Sequence, residues 1–235
     1  LTAKDAFQKR SVKLSNEDFL SVKADKNAVA GSYDIEVTQL AKEHKLGSAY
    51  ISGDVKDNQG AGSITLGLGG EAFTVNISED KSSLHDIAQA INRADDNSGV
   101  SATVVTDDEG SRLVLFGNKT GAENSISVSG EGAMSALFAP DKLADIQTAQ
   151  DAIVKIDGAT VTRSSNEIKE AIAGVTLNLE KLHNTDDTST RLTIGFDKES
   201  VTKNLKSFAD SYNKIIETTK KLTSYDAENN KAGPL

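Results

Sequence analysis

The chain has 235 residues, a formal net charge of −9, no Cys and no Trp. This length accommodates one large domain or two to three small ones, each with a core of its own. The lack of Cys excludes disulfides, thiolate metal sites and Cys nucleophiles, and the negative charge argues against a nucleic-acid partner, because phosphate binding needs a basic surface.

Membrane insertion is not expected from the hydrophobic pattern. No apolar run approaches the roughly 18 residues that are needed to cross a bilayer. The first residues also lack the apolar region of a signal peptide, and the chain begins without Met, which favours a portion of a longer protein. The Cys-free composition leaves the redox compartment open.

The N-terminal residues predict a helix followed by strands. Within residues 1–14, Phe7 and Val12 are apolar among charged and polar neighbours, which indicates an amphipathic helix. Apolar and polar residues alternate over 19–24 and again over 33–40. Both segments are therefore predicted to be half-buried strands.

A boundary and a hairpin come next. Residues 47–63 are rich in Gly, Asp, Asn and Ser, as linkers between domains are. Alternation over 64–77 is interrupted only by Gly69 and Gly70. Because glycine tolerates positive φ, this pair predicts a two-residue hairpin turn.

A short helix and a series of strands complete the first half. Ser83 with Asp86 three residues later resembles a capping box at a helix start. Residues 133–149 are ambiguous, and a short helix that Pro140 interrupts is one interpretation. Strands are predicted at 100–105, 113–116 and 125–128, with turns at 107–110 and 117–121.

The second half begins with another hairpin. Alternation over 153–162 is centred on Asp157 and Gly158, a typical turn pair. Residues 175–180 alternate again and are predicted to pair with a strand at 192–196 after a polar turn. The intervening segment is predicted to be a short helix.

The prediction of this second short helix depends on a capping-box pair and on two apolar residues. Ser164 and Glu167 have capping-box spacing, and Ile168 and Ile172 lie four residues apart, as on one face of a helix. A Gly follows and is expected to end the helix.

The order of elements occurs twice. A hairpin with a Gly turn, a Ser-Ser pair, a short helix, Gly-Val and a strand are found in 64–105 and again in 153–179. Two copies are too few for a solenoid and instead indicate two related β-rich domains. The first is predicted to be 46–149, inserted into a second that is built from 15–45 and 150–196.

A helix with a narrow apolar stripe is predicted from Asp197, a plausible N-cap, onward. The apolar residues recur at an average of 3.5 positions, the period of a coiled coil, with Thr219 continuing the spacing. Two interpretations stay open: the stripe packs on its own domain, or it is a seam between helices within or between chains. The stripe residues, here called the stalk seam, are Val201, Leu205, Phe208, Tyr212, Ile215 and Leu222.

These elements predict an α+β fold. Two small β-rich head domains, one inserted in the other, are expected on an antiparallel, coiled-coil-like helical stalk. The stalk is assigned to residues 1–14 and 197–235, because these are the helical segments outside the β-rich middle of the sequence.

The sequence has no clear catalytic or metal-binding pattern. His44, His85 and His183 each have at least one polar neighbour and no metal or triad spacing, so all three are predicted to lie on the solvated surface. The glycines at 67–70 lack the Gly-Lys-Ser/Thr ending of a phosphate loop.

The acidic loops are equally unspecific. Residues 95–97 and 107–110 lack the ligand spacing of a calcium loop. Paired carboxylates for glycoside hydrolysis stay possible in so acidic a chain, but no aromatic platform accompanies them. No catalytic residue, cofactor or metal is therefore predicted.

Several strings resemble a known family. Residues 30–41 (AGSYDIEVTQLA), 173–179 (AGVTLNL) and 201–216 resemble bacterial flagellar filament cap proteins, the family of the second flagellar hook-associated protein. Residues 73–105, which include the 83–92 helix, are similar to a motif shared by flagellar hook-associated proteins and flagellins. The resemblance spans nearly the whole chain in the same order.

The resemblance implies a structural assembly factor and not an enzyme. Proteins of this kind cap the distal tip of the filament and guide the folding and insertion of exported flagellin. The implied partners are further copies in a ring, a pentamer or hexamer at full length, together with flagellin, neighbouring hook-associated proteins and an export chaperone. The implied location is extracellular, after export through the flagellar secretion apparatus.

The resemblance also implies terminal segments that anchor the cap and that this chain lacks. A β-rich surface adhesin that binds host glycan or mucin is the alternative function. An enzyme is the third, and it requires a cluster of perturbed carboxylates in a cleft.

Overall fold

The structure is a computed structural model that describes residues 9–184, 187–223, 225–226 and 231–232. The strands are β1 (Arg10–Leu14), β2 (Leu20–Ala24), β3 (Gly31–Gln39), β4 (Glu43–Gly47), β5 (Gly62–Leu68), β6 (Glu71–Ile77), β7 (Val100–Asp107), β8 (Gly110–Thr120), β9 (Ser127–Gly132), β10 (Ala144–Gln147), β11 (Ala152–Ile156), β12 (Ala159–Arg163), β13 (Glu167–Ile172), β14 (Val175–Leu179), β15 (Thr190–Phe196), β16 (Tyr225–Asp226) and β17 (Lys231–Ala232). The helices are α1 (Leu84–Asn92), α2 (Met134–Leu137) and α3 (Lys198–Thr223). None of the described helices combines the length and the apolar character that a membrane span needs.

One hydrophobic core lies between two antiparallel sheets. The five-stranded sheet has the order β1-β15-β3-β11-β12, and the three-stranded sheet has the order β13-β14-β2. Alternate residues of β11, β14 and β15 are buried, because successive side chains of a strand point to opposite faces. We call this cluster the first core; its fully buried members are Leu20, Ile35, Val37, Ala28, Ala152, Val154, Ile168, Leu177 and Leu192.

A second core is formed by the chain between β3 and β11. Its sheets have the orders β10-β4-β8-β7 and β6-β5-β9, and α1 and α2 contribute to the same core. Asn92 at the end of α1 exchanges two hydrogen bonds of 2.8 Å with the backbone of Ala102 and so fixes the helix to β7. Fully buried members of the second core are Ile64, Leu66, Leu84, Ile87, Ile91, Leu113, Leu115 and Met134.

Several local predictions are confirmed. The turn between β5 and β6 is formed by Gly69 and Gly70, with φ of 61° and 88°. Helix α1 begins after Ser83, whose hydroxyl accepts a hydrogen bond from the Asp86 N–H. The hairpin of β11 and β12 and the short helix α2 also lie where the pattern indicates.

The N-terminal helix prediction is wrong for residues 10–14, which form strand β1. This strand pairs with β15, and Val12 lies opposite Ile194. Pairing with a distant strand satisfies the backbone of this segment and overrides its weak helical pattern. Residues 1–8 lie outside the described residues, so only α3 of the predicted antiparallel stalk is seen as a helix. The predicted stalk helix at 197–235 is also wrong beyond Thr223, because Tyr225–Asp226 pairs with Lys231–Ala232 as two short strands.

The prediction of a second short helix is also wrong. Residues Glu167–Ile172 form strand β13, which pairs with β14 through a bulge where Glu170 has a φ of 60°. Ile168 and Ile172 are both buried, because a spacing of four residues places two side chains on one face of a strand as well as of a helix. Helix α1 of the first repeat therefore has no helical counterpart in the second.

Strand pairing departs from the sequence prediction as well. Strand β14 pairs with β13 and β2, whereas β15 pairs with β1 and β3, so the predicted pairing between β14 and β15 is wrong. Residues 117–120, predicted to be a turn, continue β8, and the ambiguous region contains β10. Both departures add hydrogen bonds with β4, which is distant in sequence.

The two cores suggest how the chain divides. The predicted boundary at 45/46 falls inside β4, because Glu43–Gly47 pairs with β8 and β10 of the second core. We propose that each core belongs to one head domain and that the chain passes between them near residues 40–43 and 147–151. Hydrogen bonds join these two connections, since Lys42 pairs with Gln150.

Candidate functional site

The stalk seam begins at a capped helix start. The Ser200 N–H donates to Asp197 Oδ1 over 2.9 Å, and the Val201 N–H donates to the Asp197 carbonyl over 3.2 Å. Hydrogen bonds from the side chain and backbone of Ser200 lower the pKa of the Asp197 carboxyl. The predicted N-cap is therefore confirmed.

The middle of the seam is exposed. Leu205, Phe208, Tyr212 and Ile215 keep between 50% and 63% of their surface accessible. The Phe208 and Tyr212 rings stack with centroids 6.5 Å apart, as expected for residues one helical turn apart. Within the described part of the chain, α3 has no buried residue. The interpretation that the stripe packs on its own domain is therefore not the arrangement seen.

The two ends of the seam are half-buried. Val201 lies at the start of α3 and Leu222 near its end. The six seam residues thus lie on one helix, as the spacing predicts, but the described residues place no second helix against them. Their role as a contact surface stays a prediction.

The base of α3 is tied to the edge strand β1. The Asp197 N–H donates to the Lys9 carbonyl over 3.0 Å, and the Arg10 guanidinium lies 4.4 Å from the centre of the Phe196 ring. The same guanidinium donates through Nε to the Ala28 carbonyl over 2.7 Å. These contacts fix the point at which the helix leaves the head, and they follow from pairing that the local sequence does not reveal.

The surface prediction is wrong for His44 and only partly right for His183, which is half-buried. His44 is only 6% exposed; its Nδ1 accepts from the Ile126 N–H over 2.9 Å, and its Nε2 lies 3.0 Å from Asp145 Oδ1. His85 on α1 is exposed as predicted. The partners of His44 are 82 and 101 residues away in sequence, so its polar neighbours in the chain are a poor guide.

His183 is held by the first core. Its ring stacks on Phe19 with centroids 3.9 Å apart, its Nδ1 accepts from the Val37 N–H, and its Nε2 lies 3.0 Å from Thr190 Oγ1. Burial lowers the pKa of His183. No group of three or more His, Cys, Asp or Glu side chains among the described residues is arranged to hold a metal ion.

Family models match three parts of the chain. The model for the N-terminus of flagellar hook-associated protein 2 matches residues 1–44, and the model for its C-terminus matches residues 149–235. Together these two matches cover more than half of the chain. The chain belongs to the flagellar hook-associated protein 2 family. A third model, the flagellin hook IN motif, matches residues 63–119 and so covers most of the second core.

Relatives of known name agree with this family. The lateral flagellar hook-associated protein 2 of Vibrio parahaemolyticus is 31% identical over 242 residues, which cover 97% of this chain and 54% of the relative. Flagellar hook-associated protein 2 of Escherichia coli K12 is 32% identical over 247 residues, which cover 97% of this chain and 50% of the relative. The chain spans about half the length of the curated relatives it matches.

Solved structures share the fold. The D1-D2-D3 domains of the flagellar cap protein FliD from Escherichia coli have a TM-score of 0.81 and 29% identity, covering 94% of this chain and 64% of that one. FliD (HAP2) from Pseudomonas aeruginosa PAO1 has a TM-score of 0.79 and 27% identity, and the match covers 89% of this chain and 99% of that one. The β-rich head fold is therefore confirmed, whereas the helical stalk is seen only in part.

The comparisons also separate the functional alternatives. The matched family models and named relatives are flagellar, and they give no support to a β-rich adhesin. Membership of a family of structural cap proteins favours an assembly role over an enzyme. The predicted absence of catalysis stays a prediction.

Proposed function

We propose that this chain belongs to a cap at the distal tip of the bacterial flagellar filament, where it guides the folding and insertion of exported flagellin. The observation that carries this proposal is the pair of hook-associated protein 2 matches at both ends of the chain. The similarity to solved flagellar cap proteins over at least 89% of the chain supports it. The role is structural, without a cofactor.

The proposed partners follow from this role. The full-length protein is proposed to form a ring of five or six copies and to contact flagellin and neighbouring hook-associated proteins. An export chaperone and the flagellar secretion apparatus are proposed to deliver it to its extracellular site. The net charge of −9 supports the absence of nucleic acid from this set.

We assign the assembly contact to the stalk seam. Four large apolar side chains of α3, from Leu205 to Ile215, are about half exposed, and an apolar stripe of this kind is normally covered by a second helix. Full burial of one such side chain contributes about 1.5–3 kcal/mol, so covering the exposed halves of all four contributes roughly 3–6 kcal/mol. This free energy is sufficient to matter for the association of helices within or between chains.

Replacing Phe208 by Ala in the full-length protein tests both proposals. We expect shorter filaments, weaker ring formation and poor swimming in complemented cells, because the substitution removes one of the two aromatic rings of the seam. In the isolated 235-residue chain the head should melt normally, since Phe208 is 52% exposed there. Lys214→Ala, on the charged side of α3, is the matched control and should behave like the parent.

The two proposals fail in different ways. If Phe208→Ala assembles and swims like the parent protein, the stalk seam is not an assembly contact. If the labelled parent protein is absent from filament tips, the cap function itself is wrong. Sedimentation of the purified proteins measures ring formation separately from motility.

A further inference from the structure

His183 completes the edge of strand β3. Strands β15 and β3 pair with Thr190 opposite Ile35, and continuing that register would place residue 188 opposite Val37. His183 occupies this place instead: its N–H donates to the Val37 carbonyl over 2.9 Å, and its Nδ1 accepts from the Val37 N–H over 2.9 Å. One residue thus reproduces both hydrogen bonds of an antiparallel pair.

This arrangement requires a neutral ring. Because Nδ1 accepts a backbone N–H, the single hydrogen of the neutral imidazole is on Nε2, which donates to Thr190 Oγ1. A protonated ring carries hydrogen on both nitrogens and would direct one of them at the Val37 N–H. Val37 is fully buried, so water does not reach this N–H while the pair is closed.

The surroundings of the ring favour the neutral form. One face of the His183 ring stacks on Phe19, and the Lys181 ammonium lies 5.6 Å from the centre of the Phe19 ring. The carboxylates of Asp187 and Glu36 act in the opposite direction, but Glu36 forms an ion pair with Lys155 at 3.1 Å. Burial is the largest influence and lowers the pKa of His183, although both carboxylates and the backbone hydrogen bond at Val37 act to raise it.

Residues 181–184, which carry His183, form a short segment with few hydrogen bonds to the rest of the described chain. Next to the histidine, the Asn184 N–H donates to the Asp187 carboxylate over 2.7 Å, a bond within the same loop. On the other side, the Glu180 and Lys181 N–H groups donate to the Phe19 carbonyl. Among the described residues of this loop, the His183–Val37 pair is the hydrogen-bonded contact with β3.

We propose that His183 is an acid-sensitive latch: its neutral ring holds residues 181–184 on β3, and its protonation releases them while both cores stay folded. Release frees the N–H and carbonyl of Val37 at the end of a central strand. The latch is a property of the head and does not depend on the partner of the stalk seam.

Hydrogen exchange of the Val37 amide in the whole 235-residue chain tests the latch. Opening takes up a proton because the closed ring is neutral, so the opening constant should rise by up to about tenfold per pH unit as the pH falls below about 6.5. The rise should level off once the pH passes the lowered pKa of the folded state. The Leu177 amide, in the three-stranded sheet, should show no such change after correction for intrinsic exchange. Ring ¹⁵N shifts at neutral pH should show an unprotonated Nδ1.

Three variants test whether the pH dependence of Val37 protection comes from His183. His183→Asn keeps an acceptor near the Nδ1 position but cannot be protonated, so Val37 protection should become independent of pH. His183→Ala should lower this protection at every pH. His85→Asn changes an exposed histidine and should keep the pH dependence of the parent.

Several results would overturn the proposal. These are Val37 protection that is flat with pH in the parent, protection that falls together with that of Leu177, and a ring that carries its hydrogen on Nδ1. The parent protein alone yields all three measurements, so the test does not depend on the folding of any variant.

Discussion

Replacing Asn166 by Ala should weaken the junction between the two cores. Asn166 Oδ1 accepts from the Ala41 N–H over 2.7 Å, and its Nδ2 donates to the Ala41 carbonyl over 3.0 Å. Ala41 is buried and lies between β3 and β4, where the chain leaves the first core. The backbone carbonyl of Asn166 accepts a hydrogen bond from the Leu179 N–H, so β14 fixes the position of Asn166.

The structure sets the size of this effect. The Ala variant leaves the N–H and the carbonyl of Ala41 without these partners, and an unpaired buried backbone group costs about 1–3 kcal/mol. Because Asn166 is half-buried, water reaches part of the vacated space, and the lower value applies to each group. The free energy of unfolding should fall by about 2 kcal/mol, which lowers the melting temperature by about 4–8 °C in a chain of this size.

Thermal and urea denaturation followed by circular dichroism measure this loss. Asn213→Ala is the matched control, because Asn213 is exposed on α3, and its substitution should change the free energy of unfolding by less than about 0.5 kcal/mol. If Asn166→Ala falls within the same limit as the control, the hydrogen bonds to Ala41 do not stabilise the junction and the reasoning is wrong.

Two further predictions concern local geometry and use the same assays. Ser83→Ala removes the hydroxyl that accepts from the Asp86 N–H at the start of α1 and should cost about 1 kcal/mol; an unchanged melting temperature would contradict the capping role. Gly174→Ala should destabilise more than Gly158→Ala. Both glycines have positive φ, which costs an L-residue about 1–2 kcal/mol, but a Cβ at Gly174 would also lie 2.5 Å from the Ala28 nitrogen, whereas a Cβ at Gly158 meets nothing within 4 Å. Equal losses would refute the steric part of this argument.

The sequence by itself determined the elements that depend on near neighbours. The turn at Gly69 and Gly70, the cap at Ser83 and the start of α3 at Asp197 each rest on residues within four positions of one another. The stripe of α3 is likewise visible as a period of 3.5 residues. The strings that resemble flagellar cap proteins indicated the family, which the family models confirm.

Only the tertiary structure decided the features that depend on distant partners. A spacing of four between Ile168 and Ile172 fits a helix face and a strand face equally well, and pairing with β14 selects the strand. Residues 10–14 become a strand because β15, some 180 positions away, offers an edge.

The histidines show the same limit at the level of single side chains. His183 lies between Leu182 and Asn184 in a polar stretch of the sequence, yet it bonds to the backbone of Val37, 146 residues away. Backbone groups must find hydrogen-bond partners when they are buried, and in this fold many of those partners come from the other half of the chain. Local patterns therefore specify the tight turns and the capped helices, whereas the type of the ambiguous segments, the strand pairing and the burial of single polar residues are set when the sheets assemble.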